Sequence, residues 1–367
     1  MKAWRNCKLG DVMTLKRGHD LPSDLRQEGE IPVVSSSGIT GYHNEAKAAP
    51  PGVVTGRYGT IGEVFYLDQE YWPLNTALYV IDFKGTDPKF AAYFLRNVLK
   101  GCQSDKAAVP GVDRNVLHEI SVAVPEAAIQ QRIADTLTAY DDLMENNRRR
   151  MALLEESARL LYREWFVHLR FPGHEKATLT NGVPEGWERV PLNSLASVTM
   201  GLSPKGDTYN ECGDGMPLVN GPVEFGERFT KRVKWTTSPT KVCKSGELIV
   251  CVRGSTTGKY VISDGEYCLG RGVCGISSTH QCFVNLTFEN ELRVLLPQTS
   301  GSTFPSWTGP QLKLHPVWAP PTALLDQFEN QVTPNYKAIA VLSQQTQKLR
   351  IARDLLLPRL MSGEIDV

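Results

Sequence analysis

The sequence predicts an α+β fold: two tandem globular domains of mixed strands and helices, separated by two long helices that pair as an antiparallel, pseudo-two-fold coiled coil. Three observations predict it. The chain matches itself from end to end. Each copy opens with a Gly-, Pro-, Val- and Ile-rich stretch of short alternating runs, the mark of strands broken by turns. Each copy then closes in a heptad seam, and the two seams keep one register.

The self-match starts with W-R-N-C-K-L at Trp4 against W-E-R-V-P-L at Trp187, so that Leu9 meets Leu192 and Gly18 meets Gly201. I-P-V-V from Ile31 meets M-P-L-V from Met216, and R-Y-G-T-I-G-E-V from Arg57 meets R-G-S-T-T-G-K-Y from Arg253. Glu70-Tyr71 then meets Glu266-Tyr267, and Pro110, Leu117 and Pro125 meet Pro305, Leu312 and Pro320. The slow drift in spacing reflects insertions in the second copy, as loops on a shared scaffold allow.

Within the globular parts, Gly62–Leu67 and Glu247–Val252 read as strands. Pro88–Lys100 reads as a short helix with Phe90, Tyr93, Phe94 and Val98 on one face. The first seam runs Ile133, Leu137, Tyr140, Met144, Asn147, Met151, Leu154, Ala158, Leu161, Trp165. The second runs Phe328, Val332, Asn335, Ile339, Leu342, Thr346, Leu349, Arg353, Leu356, Leu360. Their alternating steps of four and three place one apolar stripe on each helix, and a 35-residue helix extends roughly 50 Å. Proline interrupts helices, so Pro334 is expected to end a short helix near Val332, with a restart near Asn335. Pro358 is expected to disturb the helix again, and Gly363 to stop it. Phe171–Gly186 reads as a linker loop. The expected divisions are 1–125 and 171–320 for the globular parts, the latter with the linker, and 126–170 and 321–367 for the spacer helices.

Composition narrows the functions. Lys+Arg equals Asp+Glu, 40 against 40, which argues against an undirected nucleic-acid binder but fits cations gathered on one face, or a subunit whose partners supply part of a DNA clamp. No run of about 18 apolar residues is present, and Met1–Cys7 lacks a signal-peptide core, which points to the cytoplasm. The eight cysteines form no C-x-x-C pair and read as buried, reduced thiols. No P-loop, G-x-S-x-G or H-E-x-x-H motif occurs. Ala49-Pro50-Pro51-Gly52 lacks the amide and aromatic that a base-methylating motif requires, and Glu45-Ala46-Lys47 lacks the partner carboxylate of a nuclease centre. Gly56, Gly59 and Gly62 precede the strand-like E-V-F-Y-L rather than a helix, so they read as a hairpin turn able to approach a DNA backbone, not as a phosphate loop.

The helix segments R-D-L-L-L-P-R-L-M-S-G-E-I-D-V from Arg353, L-L-E-E-S-A-R-L-L-Y-R-E-W-F from Leu153 and P-E-A-A-I-Q-Q-R-I from Pro125 resemble the specificity subunits of type I restriction-modification systems. G-R-Y-G-T-I-G-E-V from Gly56 and W-P-L-N-T-A-L-Y-V from Trp72 resemble one type of target-recognition domain in that family. The resemblance covers nearly the whole chain. It implies a subunit without a catalytic centre or cofactor that reads a split double-stranded DNA target, one half per recognition domain. It also implies two methyltransferase subunits and a motor-endonuclease (restriction/translocase) subunit as partners, with S-adenosylmethionine, ATP and Mg bound by those partners. A self-contained nuclease or methyltransferase is the alternative.

Arg reads guanine, Asn and Gln read adenine, and hydroxyls and Lys take phosphates. Candidate contacts in the first copy are Lys16, Arg17, Ser36, Tyr42, His43, Arg57, Tyr58 and Thr60, with His19, Ser35 and Ser37 beside them. In the second copy they are Lys205, Asn220, Arg253, Ser255, Thr257, Lys259 and Arg271, with Thr256. Arg57 and Arg253 lead because both copies set an arginine beside the glycine turn. Arg228, Lys231, Arg232 and Lys234 read either as a phosphate patch or as an exposed charged stretch.

Overall fold

The computed structural model describes residues 4–57, 62–104, 113–300 and 305–367, without the side chains of 101–104. Tyr58, Gly59, Thr60 and Pro110 therefore lie outside the described residues. Contacts divide the chain into two compact units, Met1–Arg148 with Ser343–Val367, and Arg149–Leu342. Each unit holds one globular part and a segment of both long helices. The four-part division expected from sequence cuts across these packing units.

In the first unit, a four-stranded antiparallel sheet has the order Thr14–Arg17, Ala77–Asp82, Gly52–Gly56, Val64–Leu67. A second sheet has the order Gly38–His43, Ile31–Ser35, Trp72–Pro73, its last pair parallel. Helix α1 (Pro88–Ser104) is longer than the sequence suggested. Asp87 accepts the Phe90 N–H at its start, 2.7 Å, and Phe90, Phe94, Leu95 and Leu99 fill the core. Helix α2 (Arg114–His118) is capped by Asp113. The strands Arg5–Lys8 and Ser121–Val124 then pair antiparallel and close the globular part just before α3 (Ala127–Tyr162) begins.

The second unit repeats this plan. Its four-stranded sheet has the order Ser197–Met200, Val273–Ser277, Leu248–Cys251, Tyr260–Ile262. A five-stranded sheet contains the parallel pair Met216–Val219 and Tyr267–Leu269. Helix α4 (Gln281–Leu295) stands where α1 does, and α5 (Gly309–Lys313) where α2 does. The closing pair Glu188–Pro191 with Pro316–Ala319 leads into α6 (Thr322–Met361). The duplication extends to single bonds: the Leu9 N–H meets the Ile120 carbonyl, and the Leu192 N–H meets that of His315, each at 2.8 Å.

Every seam position is buried or partly buried; none faces solvent. In the first unit, Ile133 and Leu137 share a core with Leu357 and Leu360, and Arg353 pairs with Asp141. In the second, Met151 packs with Ile339 and Leu342, Asn335 reaches the Leu154 carbonyl, and Trp165 meets Phe328 at 5.7 Å. Within each unit the two helices thus run antiparallel. Arg228 Nε and Arg159 Nε donate to Glu155 and Glu289, both at 2.7 Å, tying α3 to the second globular part.

The expected break at Pro334 is absent, and so is the disturbance at Pro358: α6 runs unbroken through both. Proline in a helix costs about 3 kcal/mol. Both prolines lie on the exposed side, as does Asn330, whose carbonyl loses its partner to Pro334 and can turn to water. The opposite face buries Phe328, Val332, Ile339 and Leu342, and a fully buried side chain of this size contributes roughly 1.5–3 kcal/mol. Packing on both sides of the proline outweighs its penalty. Gly363, at φ +72°, does stop the helix. The Glu364 N–H reaches back to the Arg359 carbonyl at 3.0 Å and the Gly363 N–H to that of Leu360.

The linker is not wholly irregular. Leu179–Thr180 pairs with Val183–Pro184 around Asn181-Gly182, both at positive φ, which is the two-residue hairpin turn that Asn-Gly favours. Five cysteines (Cys243, Cys251, Cys268, Cys274, Cys282) are buried, whereas Cys212 is exposed, contrary to the expectation for all eight. Burial pushes the Cys251 thiol up to about 11 and the Cys274 thiol to about 12. Brief alkylation of the folded protein at pH 8 is expected to modify Cys212 and spare Cys251 and Cys274, since the thiolate is the reactive form. Peptide mass mapping checks this; equal labelling of the three would contradict the fold.

Candidate nucleic-acid interface

The candidate interface lies at a strand crossing found in each globular part. In the second part, Gly201 N–H donates to the Val273 carbonyl, Leu202 N–H to Leu269 and Gly270 N–H to Val219, at 3.0, 2.8 and 2.8 Å. In the first, Gly18 N–H donates to Ala77, His19 N–H to Pro73 and Leu74 N–H to Val34, at 3.1, 2.7 and 2.8 Å. The glycines are steric requirements. A Cβ on Gly18 would lie 2.2 Å from the Leu74 oxygen, and one on Gly201 2.2 Å from that of Gly270. Such backbone approach admits no side chain.

In the second part this crossing opens a cleft of about 620 Å³ lined by Ser203, Asn220, Arg253, Gly254, Arg271 and Gly272. Three residues singled out from sequence, Asn220, Arg253 and Arg271, meet here. Each follows a strand end, after Met216–Val219, Leu248–Cys251 and Tyr267–Leu269 respectively. The buried Glu224 carboxylate accepts the Asn220 and Gly221 N–H groups at 3.1 and 3.2 Å and so fixes the turn. Arg271 N–H donates to Ser203 Oγ at 3.3 Å, and Gly254 N–H to the Pro305 carbonyl at 2.9 Å. Both guanidinium side chains are exposed. Lys205, Ser255 and Lys259 are exposed nearby in sequence but do not line the cleft. Thr257 has a structural role, its hydroxyl donating to the Gly254 and Pro305 carbonyls at 2.8 Å.

The first part gathers Arg17, His19, Ser35 and Asn75 at the equivalent crossing. Arg17 Nε donates to the Asn75 carbonyl at 3.3 Å, Arg57 N–H to Thr76 at 2.9 Å, and the Asn75 amide to the Asp20 carboxylate. Lys16 is exposed on its strand and Tyr42 on the Gly38–His43 strand. Ser36 and Ser37 form the hairpin turn before that strand, and Ser35 Oγ is bound to the Gly38 carbonyl and the Ser37 N–H. His43 leaves the candidate set: it is buried, accepts the Gln27 N–H at 3.0 Å and packs edge-on against Trp72. Tyr58 and Thr60 lie outside the described residues.

Lys47, considered from sequence only as part of a nuclease fragment, is a cation at this edge that lies 3.8 Å from the Glu45 carboxylate. Its ammonium lies 4.8 Å from the Trp72 ring centre. Burial, helped by the Lys16 and Lys47 charges and opposed by that of Asp20, lowers the His19 pKa below its ordinary value. Arg228 is no phosphate contact, since Glu155 and Glu227 hold its guanidinium. Lys231 and Arg232 remain exposed, and Lys234 rests 5.9 Å from the Tyr209 ring centre.

Comparison with known proteins bears on the family and the fold. Residues 1–156 match the model of the type I restriction modification DNA specificity domain. A putative type I restriction enzyme MjaX specificity subunit from Methanocaldococcus jannaschii is 23% identical over 77% of this chain and 69% of its own length. The MjaIX specificity subunit of the same organism is 24% identical over 72% and 65% respectively. The HindI specificity subunit of Haemophilus influenzae is 21% identical over 72% and 73%. A solved type I restriction-modification S subunit from M. genitalium shares the fold, with a TM-score of 0.65, 15% identity and coverage of 98% of this chain and 96% of that one.

Proposed function

We propose, from the premise that this chain belongs to the family of type I restriction-modification specificity subunits, that it reads a bipartite double-stranded DNA target, one half per globular part, and performs no catalysis itself. One observation carries the reading: the same strand crossing occurs twice, and each time it brings basic side chains to a strand end. Two methyltransferase subunits dock on the chain, a restriction/translocase subunit joins them, and S-adenosylmethionine, ATP and Mg bind those partners. The long helices serve as the antiparallel spacer that sets the gap in the target. The complex works in the cytoplasm; none of the described helices is long and apolar enough to cross a membrane.

The test is reconstitution. Incubated alone with DNA, Mg and S-adenosylmethionine, the chain is expected to leave DNA uncut and unmethylated. With its methyltransferase subunits it is expected to direct methylation to a split sequence and to protect two patches separated by a gap. Activity of the chain alone, or a single continuous footprint, would overturn the proposal. Arg57→Ala is expected to weaken the assembled complex by roughly 5- to 150-fold on targets with an intact first half. It should change little on targets whose first half is scrambled. Equal weakening on targets scrambled in either half would remove Arg57 from the reader.

A further inference from the structure

We propose that the second globular part reads a guanine through Arg271, beside Arg253, whereas the first sets Asn75 and Asp20 where the second has Arg271 and Ser203, so the two halves of the target differ. This inference rests on the specificity-subunit reading above.

Arg271 follows Gly270, whose N–H binds the Val219 carbonyl; Asn75 follows Leu74, whose N–H binds that of Val34. Ser203 follows Leu202, bonded to Leu269, and Asp20 follows His19, bonded to Pro73. The contact between those neighbours persists in both parts, Arg271 to Ser203 in one and Asn75 to Asp20 in the other. Arg271 and Asn75 thus occupy one position of a duplicated frame, as do Ser203 and Asp20.

Their chemistry differs. None of the six described residues lining the second part's cleft carries a carboxylate. Arg253 and Arg271 are exposed, and among the described residues neither figures in the ion pairs that hold Arg228, Arg353 and Arg359. Contrast Arg228 and Arg353, each tied to two carboxylates. A guanidinium only donates, and guanine is the base whose major-groove edge offers two acceptors, N7 and O6. In the first part Asp20 only accepts, and the Asn75 amide donates one of its two N–H groups to it, leaving its oxygen and one N–H. Acceptors suit the exocyclic amino groups of adenine and cytosine.

The test selects duplexes from a library with two randomised halves, using the chain assembled with its methyltransferase subunits. The wild type is expected to enrich a split site with a guanine in one half. Arg271→Ala and Arg253→Ala are each expected to reduce the preference for that guanine roughly 5- to 150-fold, with the other half unchanged. Arg271→Lys retains the charge but loses the planar fork, and it should lose the preference as well. Retention of the guanine in Arg271→Ala would overturn the inference while leaving the bipartite reading intact. So would uniform weakening on all sequences with a shallower salt dependence and rescue by Arg271→Lys, the behaviour of a phosphate contact. If the wild type enriches no split site, the parent reading falls and this inference with it.

Discussion

Phe328→Ala is expected to cost the second unit about 3–5 kcal/mol, the range for truncating a fully buried aromatic. Phe328 is 0% exposed. Its ring lies 4.9 Å from Phe166, 5.7 Å from Trp165, 6.3 Å from Tyr162 and 6.5 Å from Phe283, mostly edge to face. Aromatic pairs in such geometry add about 0.5–1.5 kcal/mol each beyond burial. The side chain sits on α6 yet packs against the end of α3 and the start of α4, so its loss loosens three helices at once. Urea denaturation followed by tryptophan fluorescence reads the effect, because Trp165, Trp187, Trp235, Trp307 and Trp318 all belong to this unit. Phe328→Leu, which retains most of the volume, should recover part of the loss. A shift below 1 kcal/mol for the alanine variant would contradict the packing described.

Gly201→Ala is the second large effect, and it reaches function. The added methyl would lie 2.2 Å from the Gly270 oxygen and 2.8 Å from that of Leu269. Both are backbone atoms within the sheet framework, so no side chain can rotate away and the crossing itself must open. Overpacking typically costs about 1–3 kcal/mol, and a clash with rigid backbone falls at the upper end. The displaced segment carries Gly270, Arg271 and Gly272, three described parts of the cleft wall or its immediate support. Binding in the second half of the target should therefore fail while the first half is still read. Gly206→Ala is the control, with nothing within 4 Å of its ideal Cβ, and should change stability by less than about 0.5 kcal/mol. Denaturation midpoints and half-site binding of both variants decide the matter. Equal behaviour would show that the close approach is not required.

The candidate site was only partly legible in the sequence. Asn220, Arg253 and Arg271 were marked by residue type in turn-rich loops, and they do share one cleft. His43 and Thr257 carried the same marks, yet one is buried against Trp72 and the other anchors a loop. Polarity and loop placement do not say whether a side chain faces outward or satisfies its own backbone. The stacking of Lys47 on Trp72 was not legible because Trp72 is distant in sequence and is brought near by strand pairing. Arg228 failed as a phosphate contact for the converse reason: its partner, Glu155, lies on a helix far back in the chain.

The sequence by itself determined the duplication, the strand-rich character of both globular parts, and the two inward-facing seams. These are one-dimensional properties, since spacing along the chain dictates which residues share a face of a helix or a strand. Tertiary structure alone decided that α6 survives Pro334 and that α3 and α6 contribute to both packing units. It alone decided which polar residues converge at the strand crossings. Those outcomes depend on buried area and hydrogen-bond partners contributed by distant segments, and only the folded chain brings those segments together.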